Sequence, residues 1–202
     1  MPKSFAFQGP CPLVNSTHSA GKSWLEFKSG GTYLWTVKTD QGYRPLYVGI
    51  SGANMAYRTW EHLCAYFCGD YSILNPNTLL DPSKKLDAGV LRSAHEYSWE
   101  DRARDISDGQ MVKIQAGLPE FMELVEIFFC PAQCEDFKEL MKLESGIINY
   151  FGKEHLENSR RSTAEEFSEA VEITFADNSL KSFHVGKGHR FKDGQIPMIF
   201  NQ

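Results

Sequence analysis

Apolar residues recur along this chain in two rhythms. A period of two or a short continuous run predicts a strand, and a three-four spacing predicts a helix. Thr32 to Val37, Thr-Tyr-Leu-Trp-Thr-Val, has strand composition. The turn chemistry of Asp40-Gln41-Gly42 follows it, and then a second short run from Leu46 to Ile50. Two such runs joined by a polar loop predict an antiparallel hairpin. Ser51-Gly52-Ala53-Asn54 ends the second run and offers helix caps. From Met55 to Phe67, Ala56, Trp60, Leu63 and Phe67 recur at helical spacing and predict a core stripe. Arg58 and His62 then fall one turn apart on a different face. Met122 to Phe129 reads as a third strand, stopped by Pro131. Glu135 to Phe151 is the clearest helix, and Val171 to Phe175 is another strand before the turn Asp177-Asn178-Ser179.

The rest is less regular. Residues 1–27 are rich in Pro, Gly and Ser and read as an N-terminal arm. Residues 69–118 read as an insertion, with loop signals at Asn75-Pro76-Asn77 and Asp81-Pro82 and a charged helix expected from Val90 to Asp105. Residues 161–202 form a C-terminal extension to a body spanning 28–160. The expected fold is α/β, with a small, mainly antiparallel central sheet flanked by helices.

One polar position breaks the pattern. In the last long helix, Phe137, Leu140, Met141, Ile147, Ile148 and Phe151 mark the apolar stripe. Glu144 continues that series. An ionised carboxylate on a buried stripe costs several kcal/mol unless it is partnered. A salt bridge and a metal ion are equally good readings of this residue alone.

Composition narrows the class. The chain has 202 residues, 42 % of them hydrophobic, enough for one sizeable core. No apolar run approaches the roughly 20 residues of a membrane span, and the first ten residues lack the apolar block of a signal peptide. A cytoplasmic protein with no membrane association is expected. Five cysteines suit reduced, buried thiols better than disulfides. The pairs Cys64/Cys68 and Cys130/Cys134 have a spacing that zinc could use, but the first pair lies in a helical stretch.

Net charge is −5, which argues against indiscriminate coating of nucleic acid. The charge is uneven. Residues 1–60 hold six basic and two acidic groups, a net of +4, so the remainder sums to −9. A second basic cluster, Lys181, His184, Lys187, His189, Arg190 and Lys192, lies near the C-terminus. Gly186-Lys187-Gly188 lacks the rest of a phosphate-loop pattern. Basic patches on an acidic body fit a selective nucleic-acid enzyme, and equally a solvated surface.

Read in order, the polar residues form a set. Gly31-Thr32-Tyr33 opens the first strand, Tyr47-Val48-Gly49 sits in the second, Arg58 and His62 follow on the first helix, Glu144 on the last, and Asn158 beyond it. Singly, these are strand aromatics, a surface cation, a polar helix residue and a turn residue. As an ordered set over roughly residues 30–160 they resemble the GIY-YIG nuclease family. Thr32 and Val48 stand where the family has Ile, and both are β-branched and suit strands.

The resemblance implies a metal-dependent endonuclease acting on DNA, of restriction type. It implies Tyr33 as general base with Tyr47 in support, Arg58 on the scissile phosphate and His62 bonded to Tyr33 or the nucleophile. Glu144 would hold Mg²⁺ (or Mn²⁺), and Asn158 would orient the backbone or phosphate. A phenol of pKa about 10 must be tuned by a cation to act near neutrality. Arg160, Arg161, Lys187 and Arg190 are further candidates for phosphate contact. One such site cuts one strand, so double-strand cleavage needs a homodimer or sequential nicks. Two other readings share the scaffold: a non-catalytic nucleic-acid-binding or interaction module, and a structure-specific repair or mobile-element nuclease.

Overall fold

The computed structural model describes residues 3–14, 23–68, 71, 73–81, 83–84, 107, 109–131, 137–152, 155–156, 165–191 and 197–202. Seven strands are described: β1 (Ser4–Pro12), β2 (Gly31–Thr39), β3 (Gly42–Ser51), β4 (Val125–Pro131), β5 (Val171–Phe175), β6 (Phe183–Val185) and β7 (Ile199–Phe200). They form one sheet in the order β6-β5-β1-β4-β2-β3-β7. The helices α1 (Met55–Phe67), α2 (Pro76–Leu79), α3 (Gln110–Leu124) and α4 (Phe137–Phe151) complete the α/β fold.

The small, mainly antiparallel sheet expected from the sequence is instead a larger mixed one. The residues read as an irregular arm supply β1, which pairs antiparallel with β4 on one side and parallel with β5 on the other. Its Gly9, Pro10 and Pro12 hide the strand signal, while Phe5 and Phe7 keep the alternation and are buried. The C-terminal extension joins the same sheet through β5, β6 and β7.

β2 shows why a continuous apolar run formed. Every residue from Gly31 to Val37 is buried, because both faces of this strand are covered. Tyr33, Trp35 and Val37 face a core shared with Met55, Leu63 and Tyr66 of α1 and Phe121 of α3. Leu34 faces the other core, with Val48, Phe128 and the α4 residues Leu143, Ile147 and Phe151. The sheet curls around α4, which touches both β3 and β6 although they lie five places apart in strand order. Gly146 permits the second contact; a Cβ there would meet Val185 at 3.2 Å.

α1 keeps its predicted span but not its predicted face. Asn54 caps it, accepting from the Tyr57 amide at 2.8 Å, and Ser51 Oγ accepts from the Asn54 amide at 3.0 Å. The buried residues are Met55, Ala56, Thr59, His62, Leu63 and Tyr66. Trp60 and Phe67, read as core, are 53 % and 57 % exposed. Ala56 and Leu63 fit either phase, and the aromatic surface of β2 and β3 selects the one that buries His62 and Tyr66. Arg58 and His62 therefore do not share a free face; His62 is core and Arg58 is half-buried.

At the start of β3, Arg44 is 1 % exposed. Its guanidinium donates to the carbonyls of Thr78, Leu79, Asp81 and Lys84. Burial pushes its pKa down, Asp81 opposes, and the group stays charged. One buried cation thus clasps the first stretch of the 69–118 insertion to the sheet.

Of the cysteines, Cys11 and Cys130 are buried and outside any disulfide, as expected, whereas Cys64 is half-buried and Cys68 exposed. Cys134 lies outside the described residues, as does the expected helix from Val90 to Asp105. Among the described residues no helix is long and apolar enough to cross a membrane.

Candidate active site

The hairpin register builds the centre of the site. Tyr33 lies opposite Gly49, and Trp35 opposite Tyr47. The Tyr33 phenol extends across Gly49: a Cβ added there would come within 2.4 Å of the phenol oxygen and Cζ. Any side chain at position 49 would displace the phenol, so the glycine of the second tyrosine motif makes room for the tyrosine of the first.

His62 meets that phenol. Tyr33 Oη and His62 Nε2 are 2.8 Å apart in a buried hydrogen bond. Four rings enclose the imidazole. Tyr33, Trp35 and Tyr47 approach edge-on at 5.9, 5.6 and 5.2 Å between centroids, and Tyr71 lies at 5.5 Å with its plane tilted only 34°. Burial, and secondarily the charge of Arg58, pushes the imidazole down to about 3. It is neutral at physiological pH and can accept the Tyr33 proton.

The remaining charges converge on the same phenols. Arg58 donates from Nη1 to Glu61 Oε2 at 2.8 Å along its own helix. This bond raises its pKa, and the neighbouring Tyr33 and Tyr47 raise it further. Tyr33 is raised well above the usual tyrosine range, by burial first, then by Tyr47 and Glu144, with Arg58 opposing. Tyr47 is pushed up to about 12 by burial, Glu144 and Tyr71, against Arg58 and Tyr33. Glu144 is half-buried among Leu140, Leu143, Ile147 and Ile148, and burial pushes its carboxyl up to about 7. β7 pairs only with Gly42 and Tyr43, which leaves the Tyr47–Ser51 edge without a strand beyond it among the described residues. α4 packs mainly on β3, and its Glu144 acts on both phenols from that side.

Of the sequence-predicted residues, Tyr33, Tyr47 and His62 thus meet directly, Arg58 lies beside the two phenols, and the charge of Glu144 reaches those phenols from α4. Asn158, Arg160 and Arg161 lie outside the described residues. Lys187 and Arg190 follow β6, on the sheet side away from β3. Lys187 is exposed, and Arg190 is gripped by both oxygens of Glu166 at 2.8 and 3.2 Å. Glu166 also accepts from Asn149 of α4 at 2.8 Å, so Arg190 takes part in a structural tie.

Sequence reasoning missed Tyr71, Trp35 and Glu61. Glu61 was findable, since an acid three residues after an arginine on a helix is a recognised pair. Tyr71 belongs to the irregular insertion and carries no periodic signal.

Among the described residues no three His, Cys, Asp or Glu side chains gather. Mg²⁺ needs no such gathering, because it keeps several waters and takes one or two carboxylates. A half-buried carboxylate with burial as the whole cause of its shift fits that requirement. No family model, curated protein or solved structure matches the chain.

Proposed function

We propose that this chain is a metal-dependent endonuclease that hydrolyses DNA phosphodiester bonds, built on a GIY-YIG-like scaffold. The observation that carries the reading is the buried Tyr33–His62 hydrogen bond, flanked by Tyr47 and set beside Arg58, with Glu144 directing its charge at the same two phenols. Phosphodiester hydrolysis needs a proton acceptor for water, a donor fork for the phosphate and a counter-charge for the leaving oxygen. Arg58 supplies the fork, with geometry suited to two phosphate oxygens. Tyr33 and His62 form a proton pair: as water gives its proton to the phenol oxygen, the phenol proton passes to His62 Nε2. Tyr47 hems the phenol in. Glu144 would hold Mg²⁺ or Mn²⁺, which when bound supplies positive charge to the phosphate and to developing oxyanions. A restriction-type enzyme is the form proposed, with a homodimer for double-strand cleavage and the cytoplasm as its place of action.

A specific observation favours a second reading, a non-catalytic nucleic-acid-binding module. The Tyr33 phenol is raised, not lowered, and the Arg58 fork is already engaged by Glu61. For catalysis a phosphate must displace Glu61, and a cation must bring the phenol down.

Incubation with supercoiled plasmid, linear duplex and branched DNA, with Mg²⁺ and with chelator, separates the readings. Metal-dependent cleavage that disappears in Glu144→Ala and Arg58→Ala supports the nuclease. Binding without turnover on any substrate selects the module. Cleavage of branched DNA alone selects a structure-specific repair or mobile-element enzyme.

A further inference from the structure

Tyr71 is the one ring of the His62 enclosure that comes from outside the hairpin and α1. It belongs to the 69–118 insertion and stands between the end of α1 and the stretch clasped by Arg44. Its geometry also differs. Tyr33, Trp35 and Tyr47 meet the imidazole at 66°, 70° and 67°, in edge contacts, whereas Tyr71 lies nearer to parallel with it, at 34°. Tyr66 braces Tyr71 edge-on at 5.2 Å and itself stacks on Trp35 at 5.9 Å. Tyr71 is therefore tied to the aromatic core while itself half-buried.

We propose that Tyr71 is a positioning residue: it holds the His62 imidazole against the Tyr33 hydroxyl and keeps water off that bond, so that the insertion, and not the hairpin alone, completes the proton pair. This rests on the reading of Tyr33 and His62 as the pair that handles the proton. Tyr33, Trp35 and Tyr47 come from the hairpin, and Tyr71 adds a fourth ring against the imidazole from the insertion. With the Tyr71 ring removed, the imidazole is free to tilt and water competes for Nε2. The phenol proton then has solvent as its alternative partner, and the relay loses its fixed acceptor.

Two independent readouts test this. The first is the His62 imidazole resonance followed by NMR against pH, which needs no substrate. Tyr71→Phe keeps the ring and is expected to leave the resonance and its titration unchanged. Tyr71→Ala is expected to move the His62 midpoint upward toward the free value of about 6.5. Tyr71→Gln keeps bulk without a ring and is expected to do the same, so it decides the matter if the alanine variant does not fold. The second readout is cleavage, where loss of the ring lowers kcat about tenfold with KM unchanged and Tyr71→Phe restores it. A His62 titration unmoved in both ringless variants overturns the proposal, even if cleavage falls. A shifted titration in a protein that cuts nothing upholds the Tyr71 role and sinks the nuclease reading instead.

Discussion

The two ends of β3 hold arginines in opposite conditions. At its start, Arg44 is buried and donates to four backbone carbonyls. Over its far end, Arg58 is half-exposed and donates to one side-chain carboxylate. Backbone carbonyls are fixed by the fold, so the donors of Arg44 cannot be offered elsewhere without unfolding what they hold. The carboxylate of Glu61 sits on a flexible stem in solvent, and water or a phosphate can replace it. A charge is structural or available according to what its partners would lose by letting go, not according to how many partners it has.

The sharpest way to break this comparison is to remove each arginine in turn. Arg58→Ala is expected to reduce cleavage about 10²–10³-fold, as for loss of a donor to a transition-state oxyanion. Its unfolding free energy should stay within about 0.5 kcal/mol of wild type in urea titrations. Arg44→Ala should reverse the pattern, costing about 3 kcal/mol or more because buried carbonyls lose their donor. A catalytic defect for Arg44→Ala without destabilisation would end the distinction.

Next in size is Gly49→Ala, which sets a methyl against the Tyr33 phenol. A loss of about 1–3 kcal/mol is expected from overpacking, with the Tyr33–His62 bond broken in a crystal structure of the variant. An intact bond at full stability would mean that the phenol has room to spare.

The pH dependence of stability probes His62. Its folded value of about 3 lies below the unfolded value of about 6.5, so the native state binds fewer protons between them. The stability it contributes is full above about pH 6.5 and is lost as pH falls toward 3. Urea midpoints between pH 7 and 4 should fall more steeply in wild type than in His62→Gln, by at most about 1.4 kcal/mol per pH unit. Parallel slopes would show that the imidazole is not held neutral.

The smallest effect concerns Glu61→Gln. An exposed pair three residues apart is worth about 0.5 kcal/mol or less, so stability should barely change. Affinity for nucleic acid, measured by fluorescence anisotropy, should rise a few-fold as the Arg58 fork is released. No gain would mean that Glu61 does not compete with phosphate.

Much of the frame could be read from the residues. α1 and β5 have their predicted spans, and β2, β3 and α4 agree within a few positions. These are elements whose apolar pattern and caps agree locally. β1 was hidden because its glycine and prolines signal a loop, and only its long-range partners make it a strand. α3 was hidden by Gly117 and Pro119, and its last turn was taken for the start of β4. Within the site, types and order were legible for Tyr33, Tyr47, Arg58, His62 and Glu144. The ring of Tyr71 against His62 was not, since it depends on how an irregular segment returns to α1. The burial of His62 was misassigned because two helical phases share Ala56 and Leu63.

The place of β1 bears on how the molecule is made. Its first residues pair with β5, and Phe5 and Thr174 share a hydrogen bond across 169 positions of the chain. The strand that precedes all the other described ones is thus among the last to find both neighbours, and contacts so distant in sequence form slowly. The hairpin, α1 and α4 are all synthesised before β5. The proposed catalytic groups would be in hand while the sheet is still open, and β1 would close between β4 and β5 only once β5 has followed them.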